Sequence, residues 1–310
     1  MKLVRILLGW FLSLALVLLL VIGVIGAGYE PNTTLPPGAA GQHVQIAGIP
    51  LRVLQRGAGR DILLIHGSPG CIEDWTPVID ALAGDFRVTA YDRPGHGYSG
   101  DTGTYSLAHN AQVASAVIDA LGLKRVIVAG HSYGGATTLT LALRAPAAVD
   151  AYVVVDSGAY TPPRKPDPIY ALLAPPWVGM GFATVLGSRL APERVRQGTL
   201  EIFGGRPIPA GFVDLRAYLF SAPKVVHALA AESRGAADWL AAQSPGYPKI
   251  EQPLSIIAQA DDAFRRTTAQ RLQREVAGSS LHLLPNTGHY VQIERTADVV
   301  AVIRAAAGER

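Results

Sequence analysis

A serine set between glycines, a histidine late in the chain and several aspartates that close apolar runs are the residues here whose types and spacing offer chemistry. Ser132 lies in Gly130-His131-Ser132-Tyr133-Gly134, directly after the apolar run 126–129 and ahead of a helical pattern. That order reads as strand, sharp turn and helix, with the serine at the apex. A serine hydroxyl is a poor nucleophile until it is exposed and set beside a base. The base in turn needs a carboxylate to fix its tautomer, and the developing oxyanion needs N–H donors. His289 sits in the loop 285–289 beyond an apolar run, and Asp156 and the pair Asp261-Asp262 each follow another. The order serine, aspartate, histidine along the chain is the one expected with this turn. In a chain with 33 glycines the G-x-S-x-G pattern alone is of limited specificity, and its weight comes from the elements that flank it.

Those elements alternate. Runs 44–46 and 51–55 read as a hairpin through Gly48 and Pro50, and 62–65, 87–91, 126–129 and 151–155 as strands. Helical spacing falls at 75–82, at 107–121 with Gly122 as a stop signal, and after Ser132 as far as Pro146. From Tyr160 to about Ile250 no strand of comparable strength occurs, prolines are dense, and apolar residues fall in helical patches. We read 160–249 as an inserted helical lid, in which Trp177, Met180, Phe182, Phe212, Tyr218 and Phe220 either line an acyl or aromatic pocket or pack the lid. Alternation returns with strands 254–258 and 281–284, a helix 265–276 and a last helix to about Ala306. Strands and helices alternating in this way predict an α/β fold with a mostly parallel sheet covered on both faces. Catalytic groups in such sheets gather at the carboxyl ends of the strands, which is where Ser132, Asp156, Asp261-Asp262 and His289 all fall.

The N-terminal 30 residues are of another kind. Lys2 and Arg5 precede 23 residues without a charge, 6–28, which as a helix at about 1.5 Å per residue cross a hydrocarbon core of about 30 Å. The expectation is a membrane anchor, with a cleaved signal ending at Gly26-Ala27-Gly28 as the alternative. The positive charges predict that this end stays cytoplasmic and the rest lies on the other side, or is secreted if the segment is cleaved. Residues 31–41 have linker composition, leaving 42–159 and 250–310 as the core domain.

Charge and cysteine content narrow the functions. Basic residues number 27 against 24 acidic ones, with no basic block or stripe, which argues against a nucleic-acid partner. A single cysteine, Cys71, excludes an intramolecular disulfide and a multi-cysteine metal site. No H-E-x-x-H spacing occurs, and we expect neither metal nor organic cofactor.

Taken with their spacing, His66-Gly67-Ser68-Pro69-Gly70, the stretch DRPGHGYS at 92–99, GHSYGG at 130–135 and NTGHY at 286–290 make the chain from about residue 42 onward resemble the α/β-hydrolase superfamily. The resemblance implies the α/β-hydrolase fold: an eight-stranded, mostly parallel sheet with a lid inserted after strand 6. It implies Ser132 as nucleophile, His289 as base and an oxyanion hole from the backbone N–H groups of Ser68 and Tyr133. The acid of that family follows the seventh strand in a pattern like G-x-x-D. Here Gln259 stands where glycine is common; on this count Asp262 is preferred, Asp261 is second and Asp156, after the sixth strand, third. His66, His96, Asp92 and Arg93 are read as loop-organising residues, and His131 as packed against the sheet.

The activity this implies is that of a carboxylesterase-like serine hydrolase cleaving an ester or related acyl bond of a small or medium apolar substrate. A perhydrolase or lyase would use the same three residues. A non-catalytic binding protein on the same fold is the other alternative; loss of one of the three residues would point to it, and none is missing.

Overall fold

The computed structural model describes residues 2–162 and 165–308. Eight strands form one sheet in the order β1-β2-β4-β3-β5-β6-β7-β8: β1 (Gln42–Ile46), β2 (Ile49–Arg56), β3 (Arg60–Ile65), β4 (Phe86–Tyr91), β5 (Val126–His131), β6 (Val149–Val155), β7 (Leu254–Gln259) and β8 (Ser280–Leu284). The hairpin β1–β2 and the pairing of β2 with β4 are antiparallel, and every other pairing is parallel.

The continuous apolar runs in the sequence are explained by burial on both faces, which parallel strands covered by helices require. Successive residues alternate between two cores. Leu63, Ile65, Val126, Val128, Tyr152 and Val154 join one cluster with α3 (Leu107–Ala120), α4 (Tyr133–Ala142) and α10 (Ala263–Glu275). Their neighbours Ile62, Leu64, Ile127, Ala129, Ala151 and Val153 join the other, with α2 (Thr76–Leu82) and α12 (Thr296–Ala306).

Helix α4 ends at Ala142, short of the expected stop at Pro146. A residue before proline is pushed out of the helical region, and Ala145 adopts a φ of 45°, so the chain leaves the helix a turn early. The last helical segment is also divided, into α11 (Val291–Glu294) and α12.

Between β6 and β7 the described residues form α5 (Tyr170–Leu173), α6 (Val178–Phe182), α7 (Ser188–Phe203), α8 (Phe212–Phe220) and α9 (Pro223–Gln243), with a 3₁₀ turn at Ser244–Lys249. Two buried ion pairs fasten this insertion to the core. Arg93, after β4, meets Glu232 of α9 at 2.5 Å, and Arg216 of α8 meets Asp74 at 3.0 Å. Removing one partner of such a pair leaves an uncompensated buried charge and costs about 3–5 kcal/mol.

Helix α1 (Lys2–Ala27) carries its apolar side chains outward along most of its length, and only Ile22 and Gly26 are buried. It is long and apolar enough to cross a membrane.

Candidate active site

The turn that carries Ser132 is built by close backbone approach. A Cβ at Gly130 would lie 2.3 Å from the Gly134 carbonyl oxygen, and one at Gly134 would lie 2.3 Å from that of Ile65. Glycine at both positions lets β5, α4 and the end of β3 meet, and Ser132 between them is held at φ 53°, ψ −116°. Such a conformation costs a non-glycine residue about 1–3 kcal/mol and persists only where the surroundings impose it. Here the Ser132 N–H donates to the Val155 carbonyl at 3.0 Å.

His289 connects two of the candidate residues. Its Nε2 lies 2.9 Å from Ser132 Oγ, and its Nδ1 lies 2.5 Å from Asp156 Oδ2. The carboxylate can only accept, so Nδ1 carries the proton, and Nε2 is left to accept the Ser132 hydroxyl. Packing around the imidazole lowers the His289 pKa below the usual histidine value; Arg265 adds to the effect and Asp156 opposes it. Burial works to raise the Asp156 carboxyl, but its hydrogen bond and charge interaction with His289, together with Arg265, hold it at about 2. The pair thus presents an ionised carboxylate and a neutral imidazole near pH 7, the states a general base requires.

The aspartate preferred from the sequence is elsewhere. Asp262 is exposed and caps α10, its carboxylate accepting the Arg265 backbone N–H at 2.8 Å. Asp261 accepts the Asn286 N–H at 2.7 Å and so braces the loop that carries His289. Asp156, third in the sequence ranking, is the carboxylate at the imidazole, and the physical reason is register. Parallel β5 and β6 pair His131 with Val155, so the next residue on each strand, Ser132 and Asp156, emerges side by side at the same rim.

Three residues given no such role in the sequence hold the Ser132–His289–Asp156 arrangement in place. The Gln259 amide donates to Asp156 Oδ2 at 2.9 Å and its backbone N–H to Oδ1 at 3.2 Å. Arg265 donates to the Asp156 carbonyl at 3.0 Å. Buried His131, whose pKa burial lowers, donates from Nε2 to the His289 carbonyl at 2.7 Å. Gln259 did carry a signal, since it stands where the family pattern prefers glycine.

Tyr133 opens α4, so its N–H has no intrahelical acceptor. The facing turn approaches Ser132 closely: a Cβ at Gly67 would lie 3.1 Å from Ser132 Cβ. Ser68 follows at a cis bond to Pro69, its hydroxyl buried without a partner among the described residues. His66 organises this turn as expected, with Nδ1 at the Gly67 carbonyl and Nε2 accepting the Arg93 N–H. Asp92 braces its loop by accepting the N–H groups of Ile72 and Tyr98. Of the insertion residues, Phe212 and Phe220 are buried around Arg216, while Trp177 and Tyr218 are exposed. Cys71 is fully buried.

A family model described as alpha/beta hydrolase family matches residues 62–302. The chain belongs to that family. Among curated relatives of this alpha/beta hydrolase, a putative carbamate hydrolase of Azorhizobium caulinodans is 41% identical over 104 residues, a match spanning 33% of this chain and only 39% of the relative. A 2-hydroxymuconate semialdehyde hydrolase of a Pseudomonas species is 28% identical over 274 residues, covering 85% of this chain and 92% of the relative. Among solved structures, one described as a membrane phospholipase A, a bacterial virulence factor, superposes with a TM-score of 0.67 at 23% identity, covering 99% of this chain and 98% of its own. At that identity the likeness shows the fold, over a span that takes in α1.

Proposed function

We propose that this alpha/beta hydrolase is a serine hydrolase that cleaves an ester or related acyl bond of a small or medium apolar substrate through an acyl-enzyme. The observation that carries the reading is the single imidazole bonded at one nitrogen to Ser132 Oγ and at the other to Asp156. Ser132 Oγ attacks the carbonyl carbon as its proton passes to His289 Nε2, and the carbonyl oxygen takes up negative charge opposite the N–H groups of Tyr133 and Ser68. The tetrahedral species collapses, His289 returns the proton to the departing alkoxide, and the acyl group stays on Ser132. Water then attacks the acyl carbon with His289 again as base, releasing the acid and restoring the hydroxyl. Asp156 stays ionised throughout, holding the tautomer and stabilising the imidazolium. The similarity to a named hydrolase over 85% of the chain supports hydrolase activity.

A fluorophosphonate probe tests the nucleophile directly. The expected result is stoichiometric labelling on Ser132, and loss of both labelling and about 10³-fold or more of ester turnover in Ser132→Ala. Turnover retained in that variant would end the proposal.

We further read α1 as a membrane anchor, with Lys2 and Arg5 on the cytoplasmic side and the catalytic domain on the other. Its uncharged length and outward apolar side chains support that reading.

A further inference from the structure

Helix α1 is fixed to the insertion by backbone contact. A Cβ at Gly26 would fall 1.8 Å from the Trp177 carbonyl oxygen and 2.6 Å from the Gly181 nitrogen, and one at Gly181 would fall 2.0 Å from the Ile22 carbonyl oxygen. Two glycines therefore let α1 and α6 touch without intervening side chains, and the crossing cannot slide without a clash. The crossing also sets a depth. From Ile6, the first residue past Arg5, to Gly26 a helix rises about 31 Å, the thickness of a hydrocarbon core. With Arg5 at one interface, Gly26 is at the other, and so are Trp177 and α6.

What surrounds that crossing suits the level. Trp177 is 69% exposed, and tryptophan is the side chain enriched at the headgroup boundary. The segment Val178–Gly187 is apolar but for Thr184, whose hydroxyl is bonded back to the Met180 carbonyl. Beside it Ile169, Leu172, Leu186 and Leu190, all exposed, ring the mouth of a cavity of about 370 Å³ floored by Leu173 and Phe220. Exposed Arg194 stands at the same mouth, where an arginine can reach anionic headgroups while its stem stays in apolar surroundings. An apolar face of this kind on an otherwise polar surface marks an interaction site.

We propose that this face of α5–α7 is seated in the interfacial layer of the bilayer that α1 crosses, with acyl chains of that leaflet covering the leucine-ringed cavity. The proposal rests on reading α1 as a membrane span. The occupant follows from continuity: the helix that enters the membrane packs on α6, and α6 packs in turn on α5 and the segment Ala183–Gly187. Substrates dissolved in the leaflet then meet the insertion before they meet water.

Tryptophan quenching tests the placement on the full chain reconstituted in sealed phosphatidylcholine vesicles. Trp10 and Trp177 are the two strongly exposed tryptophans, Trp10 lying within α1. In Trp10→Phe, lipid brominated near the headgroup end of one chain should quench the Trp177-dependent emission by roughly half, with external iodide having little effect; Trp10→Phe/Trp177→Phe supplies the background. Quenching by iodide and not by bromolipid would show Trp177 facing water and overturn the proposal. Quenching by neither would show the face covered by protein, such as a second copy of the chain, and overturn it equally. Trp177→Phe separates the underlying reading, since Trp10 must then be quenched by lipid brominated deep in the chain. If Trp10 is quenched and Trp177 is not, α1 spans and the docking proposal alone fails; if Trp10 is not, both fall.

Discussion

At the end of β6 the chain turns at Asp156 with a φ of 44°, and the carboxylate packs against His289, Gln259 and Arg265. At the end of the neighbouring β7 it runs on through Ala260 and Asp261 to Asp262, whose carboxylate faces solvent and caps a helix. The strands are parallel and in register, Val155 beside Ile257. The difference lies in how far past the strand each acid sits: one residue for Asp156, three for Asp262. One residue past β6 is level with Ser132, one residue past β5, and the left-handed turn at each position directs the side chain into the gap where His289 arrives. A strained backbone angle at a non-glycine residue thus marks both of the strand-end residues that touch the imidazole. The residue that breaks the family pattern, Gln259, is itself part of the arrangement, for its amide and N–H occupy both oxygens of the acid on the neighbouring strand.

The most direct way to break this comparison is to neutralise each acid in turn. Asp156→Asn should lower kcat/KM by about 10³–10⁴, because an amide at Nδ1 favours the wrong tautomer and no longer stabilises the imidazolium. Asp262→Asn should leave kcat/KM near wild type. Ester hydrolysis by the two purified variants decides it, and the opposite ranking would return the catalytic acid to β7.

A pH profile sharpens the same contrast with a smaller effect. Only the neutral imidazole can take the Ser132 proton, so kcat/KM should fall as pH drops through the His289 pKa, which packing places below the usual histidine value of 6.5. Two pH units below that midpoint the loss is about a hundredfold. Asp156, at about 2, stays ionised across the range and adds no second limb. Since its charge raises the imidazole pKa, whatever activity survives in Asp156→Asn should show its midpoint moved to lower pH, while Asp262→Asn keeps the wild-type profile. A midpoint above 7 in the wild type would contradict the packing account.

Much of this was legible in the sequence. The runs 62–65, 126–129 and 151–155 announce strands because burial on both faces leaves no polar alternation, and the glycines at 130 and 134 announce the turn because nothing larger fits. Ser132 and His289 follow from those elements. The acid did not follow, because which strand lies beside β5, and in what register, is decided by tertiary pairing that no local pattern records. Nor did the ion pairs between core and insertion, whose partners are 139 and 142 residues apart in the chain. Arg216 in particular carries no motif in the sequence, yet it is buried between Phe212, Phe220 and Tyr290, with Asp74 as its counter-charge.

The smallest expected effect tests the structural role assigned to Asp262. As the N-cap of α10 it satisfies a backbone donor that helix geometry leaves unpaired, and Asp262→Ala should cost about 1 kcal/mol of stability, read as a lower midpoint in chemical denaturation. That cap lies three residues from Arg265, which bonds the Asp156 carbonyl and stands 3.7 Å from its carboxylate. Fraying the first turn of α10 therefore has a route to the active site. If Arg265 is held mainly by its contacts to Asp156, kcat/KM stays within about twofold of wild type. A fall of about tenfold with the stability loss unchanged would instead make Asp262 a positioning residue acting through Arg265, and would narrow the contrast between the two strand ends without reversing it.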